Sequence, residues 1–407
     1  MLRFTTAGES HGAALVSILE GMPAGIPLLV EDVDAQLARR QAGYGRGRRM
    51  QIETDRAEIL SGVRAGETLG SPIAMLIRNH DWRNWQEIMS PAPLPDESAD
   101  SRLRKRAVTR PRPGHADLAG MLKYDRADAR DILERASARE TTARVAAGAV
   151  CRTFLKQLDV TIGSHLVELG DVVARRPEHL PADLNTAADS SPLRTLDSDA
   201  ESRMVALIDE AKRSGDTLGG ICEVVVTGLP VGLGSHVSWD RKLDGRLAAA
   251  LMSIPAVKGV EIGMGFQAAR LHGSRVHDEI DPSEDAITRG RLSRRSNNAG
   301  GLEGGMTTGE PLVLRVAMKP ISTLMRPLGS VEMTTRESAA STVERSDVTA
   351  VPAMGVIAEA MAAFILADSA LEKFGGDSLN EVRRNREGYL LYLAERDGGH
   401  VTGHDAG

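Results

Sequence analysis

A short turn, G-x-T-x-G, occurs three times in this chain, each time just ahead of an apolar run, and that recurrence limits the folds open to it. Gly66-Glu67-Thr68-Leu69-Gly70-Ser71-Pro72 precedes residues 73–77, and Gly305-Met306-Thr307-Thr308-Gly309-Glu310-Pro311 precedes residues 312–318. Gly215-Asp216-Thr217-Leu218-Gly219 precedes residues 221–226 and matches all but the proline. Glycine reaches the positive φ values that tight strand entries need, and the apolar runs behind these turns suit a pleated surface. A turn-and-strand unit used repeatedly predicts an internally duplicated core. With 41 glycines present, such turns arise by coincidence as well, so the strand behind each one gives the pattern its weight.

Helical spacing fills the intervals. Val33 and Leu37 share a face in residues 32–40, Ala143, Ala147, Val150 and Phe154 in residues 139–158, and Met204, Leu207, Ile208 and Ala211 in a segment that stops at Gly215. Residues 243–253 form a further helix. Residues 352–374 are apolar around most of the circumference, which predicts a central buried helix; Glu359 and Asp368 within it argue against a membrane span. Residues 13–19 read as a strand, residues 91–105 and 281–295 as mobile loops, and residues 397–407 as a disordered tail. The expectation is an α+β chain with one domain over residues 1–396.

Charge narrows the function. A net charge of −6 argues against a general nucleic-acid or membrane surface, so any anion site is local. Eight lysines against 42 arginines mean that such a site uses forked guanidinium donors, although biased genome composition produces the same skew. Cys151 and Cys222 make neither a disulfide framework nor a metal site, which suggests a reducing compartment. Neither a signal peptide nor an anchor shows near Met1, so a cytoplasmic location is expected, with no metal.

Several clusters share one chemistry. In Thr109-Arg110-Pro111-Arg112-Pro113-Gly114-His115-Ala116-Asp117 the prolines enforce an extended arm, Gly114 turns it, and His115 stands beside two arginines. Gly8-Glu9-Ser10-His11-Gly12 brackets a second histidine with glycines. Arg39, Arg40, Arg46, Arg48 and Arg49 surround three glycines, a setting in which a phosphorylated molecule can be gripped bidentately. Arg135-Ala136-Ser137-Ala138-Arg139-Glu140 reads as an anion cradle at a helix start, and Lys319-Pro320-Ile321-Ser322-Thr323 follows a strand. Asn297-Asn298-Ala299-Gly300-Gly301 runs to Gly304-Gly305, and Arg345-Ser346-Asp347 precedes the buried helix. Taken singly, each has a plain alternative: a surface linker, a turn, a cap, a strand exit or a surface ion pair.

Together, and in this order, they resemble the chorismate synthase family. Gly8 to Gly12, Arg112-Pro113-Gly114-His115-Ala116-Asp117, Ser137-Ala138-Arg139-Glu140-Thr141, Val257-Lys258-Gly259-Val260-Glu261-Ile262-Gly263, Gly300-Gly301 with Gly304-Gly305, and Lys319-Pro320 carry the resemblance; Arg345-Ser346-Asp347 and Glu372-Lys373-Phe374-Gly375-Gly376-Asp377 extend it. It implies helices between antiparallel sheets, a homotetramer, and conversion of 5-enolpyruvylshikimate 3-phosphate to chorismate by a 1,4-elimination that needs reduced FMN.

Carried over residue by residue, the resemblance makes His11 the acid to the departing phosphate. His115 becomes the donor to reduced flavin, and Asp347 a relay for the proton taken from the substrate. It places Arg135, Ala136, Ser137, Pro255, Ala256, Gly304, Lys319, Pro320, Ile321, Ser322, Thr323 and Arg345 against FMN. It places Ser10, Arg40, Arg46, Arg49, Arg112 and Arg139 at the substrate's anionic groups, with Arg40 and Arg46 also candidates for the phosphate of NADPH as reductant. Ala136 and Pro255 depart from the polar residues frequent at those places. With no G-x-G-x-x-G after a strand and no P-loop, a separate flavin reductase is a candidate partner. Two other readings are an arginine-rich nucleic-acid module, which would bind with steep salt dependence, and a flavoprotein with other redox work.

Overall fold

The computed structural model describes residues 1–47, 54–92, 107–286, 289–344 and 346–395, so the expected tail, most of residues 91–105, and Arg48, Arg49 and Arg345 lie outside the described residues. The chain begins with β1 (Arg3–Ala7), β2 (Ala14–Glu20), α1 (Val30–Gln41), β3 (Ala57–Ser61), the short pair β4 (Val63–Arg64) and β5 (Glu67–Thr68), and β6 (Ile73–Arg78). Helices α2 (Asp117–Tyr124), α3 (Arg130–Ala136) and α4 (Thr141–Lys156) come after it, then β7 (Thr161–Leu169), β8 (Val172–Val173), α5 (Leu184–Asp189), α6 (Ser198–Ser214) and β9 (Gly220–Thr227). Next come α7 (Leu243–Met252), β10 (Val257–Ile262), β11 (Ile280–Pro282), β12 (Leu292–Arg294), β13 (Leu302–Glu303), β14 (Met306–Thr307) and β15 (Leu312–Met318). The chain closes with β16 (Gly329–Val331), β17 (Ser338–Ala340), α8 (Val351–Phe374) and α9 (Leu379–Glu395).

The architecture is α+β. One antiparallel sheet has the order β1-β2-β6-β3 and a second the order β10-β15-β9-β7-β8. Helix α4 packs on β1, β2 and α8, while α8 packs on β7, β9 and β15. Apolar residues all round α8 explain why it sits there, since a helix with no polar face is stable only when covered on all sides. By length and hydropathy α8 could cross a membrane, yet 78% of its apolar window is buried inside the fold.

The two sheets use the same turn chemistry. Thr68 Oγ1 donates to the Pro23 carbonyl at 2.6 Å and accepts from Ile26 N at 3.0 Å; Thr307 Oγ1 donates to Pro230 at 2.6 Å and accepts from Leu233 N at 2.8 Å. The partner turns match as well: Gly21-Met22-Pro23-Ala24-Gly25 follows β2, and Gly228-Leu229-Pro230-Val231-Gly232 follows β9. That G-x-P-x-G repeat is a second signal present in the sequence. The third G-x-T-x-G turn is a different device: Gly215 caps α6 in the left-handed region and Thr217 Oγ1 donates to the Ile321 carbonyl at 2.7 Å.

Two boundaries move. The helix expected from residue 139 opens as a 3-10 turn over Ala138–Glu140, so Arg135 and Ala136 close α3 and only Ser137 stands at a helix start. Within residues 281–295, expected as a loop, the described residues include most of the β11–β12 pair.

Candidate active site

The β1–β2 connection carries His11. Gly8 has φ +107, and a Cβ there would fall 2.3 Å from the Ala14 carbonyl oxygen, so the turn requires glycine. Glu134, in α3, anchors Ser10 and His11: its carbonyl accepts from Ser10 N at 3.0 Å, its Oε2 from His11 N at 2.8 Å, and its two carboxylate oxygens lie 2.9 and 3.0 Å from His11 Nδ1. Arg130, one turn earlier, donates to Glu134 Oε1 at 3.0 Å. Burial would raise the Glu134 pKa, but His11 and Arg130 outweigh it and hold the carboxyl below its ordinary range. The His11 ring stacks on Trp85 with centroids 3.9 Å apart.

Asn79, just past β6, joins this loop to a buried group of guanidiniums. Its Nδ2 donates to the Gly12 carbonyl at 2.7 Å, and its Oδ1 accepts from Arg139 Nε and Nη2 at 3.0 and 2.8 Å. Asp55 pairs with Arg139 and lies 3.5 Å from Arg40 Nη1. Arg40 also donates to Thr141 Oγ1 at 3.0 Å and to the Ala138 carbonyl at 2.9 Å, whereas its buried Nη1 has no hydrogen-bond partner among the described residues. Burial depresses the Arg40 pKa to about 9 against the pull of Asp55, with Arg46 and Arg139 adding to the depression. A dry guanidinium with an unsatisfied N–H, flanked by two more, is built to receive an anion.

Asp347 closes this side. Its Oδ2 lies 3.3 Å from Arg46 Nε, and its Oδ1 accepts from Gly47 N at 2.6 Å. Adjacent Arg39 turns away: it pairs with Glu359 at 2.8 Å and Asp189 at 2.7 Å, so of the arginines grouped around the glycines it belongs to the interior.

His115 sits on the expected turn, with Gly114 at φ +77. Its Nδ1 lies 2.5 Å from Oδ1 of the fully buried Asp117. Arg112 grips the same carboxylate through Nε at 2.8 Å and Nη2 at 3.1 Å, and donates from Nη1 to Thr323 Oγ1 at 2.8 Å. Burial opposes ionisation of Asp117, yet His115 and Arg112 hold its pKa well below the usual carboxylate range. Arg112 thus braces a protein carboxylate while bordering the site.

Lys319 Nζ donates to the Gly114 carbonyl at 2.8 Å and its backbone N to Ala256 at 3.0 Å, bringing residues 255–256 and 319–323 to the His115 turn. Burial and Lys258 lower the Lys319 pKa. Arg135 reaches across to the Thr6 and Gly8 carbonyls at 2.9 and 3.2 Å. Gly304 stands between β13 and β14. Its neighbour Gly305 accepts from Leu243 N at the start of α7 at 2.9 Å.

Glu134, Arg130, Asn79, Asp55 and Trp85 are absent from the sequence-based site. Arg130 and Glu134 stand four apart, a helix ion-pair spacing that could have been read; Asn79 and Asp55 give no local signal.

Known proteins match this chain along nearly its whole length. The family profile described as chorismate synthase matches residues 2–371. A chorismate synthase of Geobacter sulfurreducens is 58% identical over 396 residues, covering 97% of this chain and 99% of its own. One of Symbiobacterium thermophilum is 58% identical over 396 residues, covering 97% and 100%. A solved structure titled "Crystal Structure of Chorismate Synthase" has a TM-score of 0.76 and 43% identity, covering 97% of this chain and 98% of that one. This chain belongs to the chorismate synthase family, whose members are lyases.

Proposed function

We propose that this chain converts 5-enolpyruvylshikimate 3-phosphate to chorismate and phosphate by a 1,4-elimination in the presence of reduced FMN, in the shikimate pathway. One observation carries the reading: the buried Arg40, whose Nη1 makes no hydrogen bond among the described residues and has Asp55 only at 3.5 Å, stands beside Arg139 and Arg46 in a group tied through Asn79 to the His11 loop. Phosphate departure builds negative charge, which guanidiniums and a protonated imidazole meet better in the transition state than in the substrate. His11 acts as the acid toward that phosphate, Ser10 belongs to the same anion site, the family resemblance adds Arg49, which lies outside the described residues, and Asp347 helps relay the proton taken from the substrate.

Two donor sets suit a phosphate-bearing cofactor: the Lys319 ammonium with the hydroxyls of Ser322 and Thr323, beside Pro255, Ala256, Pro320 and Ile321 at the His115 turn, and the Arg135 guanidinium with Ala136 and the Ser137 hydroxyl on the side of the His11 loop; the family resemblance adds Arg345, which lies outside the described residues. Reduced FMN supplies electron density to the allylic centre when bound. NADPH is the candidate reductant, with Arg40 and Arg46 as its phosphate contacts, and a separate flavin reductase the candidate alternative. We infer further a homotetramer in the cytoplasm and a duplicated core of helices between antiparallel sheets, a reading supported by the two matched threonine turns.

Anaerobic incubation of the full chain with substrate should release phosphate when FMN is reduced and none when it is oxidised. Release that ignores the flavin's redox state, or none at saturating reduced FMN, rejects the reading.

A further inference from the structure

We propose that Glu134 and Asp117 are positioning residues for the two site histidines, each holding the imidazole Nδ1 proton so that Nε2 is the nitrogen that exchanges protons with bound reactants. The inference rests on the function proposed above, and it reaches beyond the carried-over proton donors to the groups behind them.

Two segments far apart in sequence build the same device. His11 Nδ1 meets Glu134 at 2.9 Å, and Arg130 braces that carboxylate at 3.0 Å; His115 Nδ1 meets Asp117 at 2.5 Å, and Arg112 braces that one at 2.8 Å. Both carboxylates are buried and both imidazoles keep an exposed edge, with side-chain exposures of 16% and 17%. An ionised carboxylate accepts only, so a neutral imidazole beside it carries its proton on Nδ1; the opposite tautomer would set two acceptors against each other. Each arginine keeps its carboxylate ionised and fixes its plane, which turns a rotatable ring into an aimed one.

Other charges face the two rings. Arg130 on α3 and, through Arg130 at 3.2 Å, Glu344 stand around His11; Glu9 shares its loop, with the side chain against Gly12, and Asp81 touches the stacked Trp85 at 3.0 Å. Arg112 and Lys319 stand around His115. Glu134 contacts His11 Nδ1 directly; His115 Nδ1 lies 2.5 Å from Asp117 Oδ1 and 3.0 Å from Arg112 Nη2, and because Arg112 spends its donors on the same carboxylate at 2.8 and 3.1 Å, the shorter contact to Asp117 sets the tautomer.

The test uses the full-length variants Glu134→Gln and Asp117→Asn, with Glu134→Asp as the charge-keeping control. Turnover should fall by roughly two to four orders of magnitude in the amide variants with KM changed far less, as expected when an imidazole loses its orienting carboxylate. In Glu134→Gln the alkaline limb of the kcat profile should move to lower pH, because a neutral amide no longer stabilises the imidazolium; Glu134→Asp should recover about tenfold or more of the loss. Nitrogen-15 NMR of labelled histidines in the resting chain gives a readout free of turnover: Nδ1–H tautomers in the wild type, mixed tautomers in the variants. Wild-type kcat and an unmoved limb in Glu134→Gln, or Nε2–H signals from His11 and His115 in the wild type, overturn the proposal. A wild type that shows the Nδ1–H signals, displaced in the variants, yet releases no phosphate supports the positioning role and rejects the reaction instead.

Discussion

Arg46 and Asp347 meet at 3.3 Å, tying the loop after α1 to the segment that enters α8 across 300 residues of sequence. The pair keeps a carboxylate in an arginine-rich site without neutralising all of it. Asp347→Asn should preserve the Gly47 N contact and the shape while removing the charge. The expected result is a fall in kcat of about a hundredfold with thermal stability little changed; near-normal turnover would remove Asp347 from the proton path.

His11→Ala and His115→Ala should each lower turnover by roughly two to four orders of magnitude while the chain still takes up FMN in the presence of substrate, followed by flavin absorbance. Retained turnover in either variant removes that histidine from the mechanism.

Arg46→Ala should act mainly on KM. A charge-assisted contact to a substrate anion contributes about 1.5–3 kcal/mol, or roughly 10- to 100-fold in KM if the ground state is bound as firmly as the transition state. Steady-state kinetics with an unchanged KM would place Arg46 away from the substrate.

The parts of this fold legible in sequence are those governed by local rules. Glycine turns announced β6 and β15, and the all-apolar stretch announced α8. The histidine turns were legible for the same reason, because Gly8 and Gly114 need conformations that few other residues adopt. The hidden parts are held by long-range contact: Asn79 linking Gly12 to Arg139, Asp55 between two arginines, and Arg39 turning inward while Arg40 faces the site. Neighbouring residues on a helix point about 100° apart, so a run of arginines in sequence need not share one ligand.

Gly148 on α4 faces Ala360 on α8 with no room for a methyl group: a Cβ there would lie 2.4 Å from the Ala360 Cβ and 2.6 Å from its Cα. Gly148→Ala gains helix propensity but must push the two central helices apart. The overpacking cost of about 1–3 kcal/mol should win, lowering Tm by several degrees. An unchanged or raised Tm would mean that the two helices separate without strain.

Glu359 gives the acid sensitivity. It is buried among Arg39, Arg152 and Arg194, and Ser164 Oγ donates to it at 2.6 Å. Burial opposes its ionisation, yet Arg39, Arg152 and Arg194 bring its pKa from 4.5 down to about 2. Because the folded value is the lower one, this contribution is complete above about 4.5 and disappears as pH falls toward about 2. Glu359→Gln should lower stability at neutral pH by about 3–5 kcal/mol, since three guanidiniums lose their shared partner, and should flatten the decline over that window. Denaturant unfolding at pH 7 and across that window tests both, and an unchanged slope contradicts the assignment.

The most direct test of the whole account is the anaerobic stoichiometry of the wild-type chain with 5-enolpyruvylshikimate 3-phosphate and reduced FMN, following phosphate, chorismate absorbance and flavin oxidation together. The account predicts one chorismate for each phosphate with no net oxidation of the flavin. Phosphate without chorismate, or flavin oxidised in step with turnover, would contradict it.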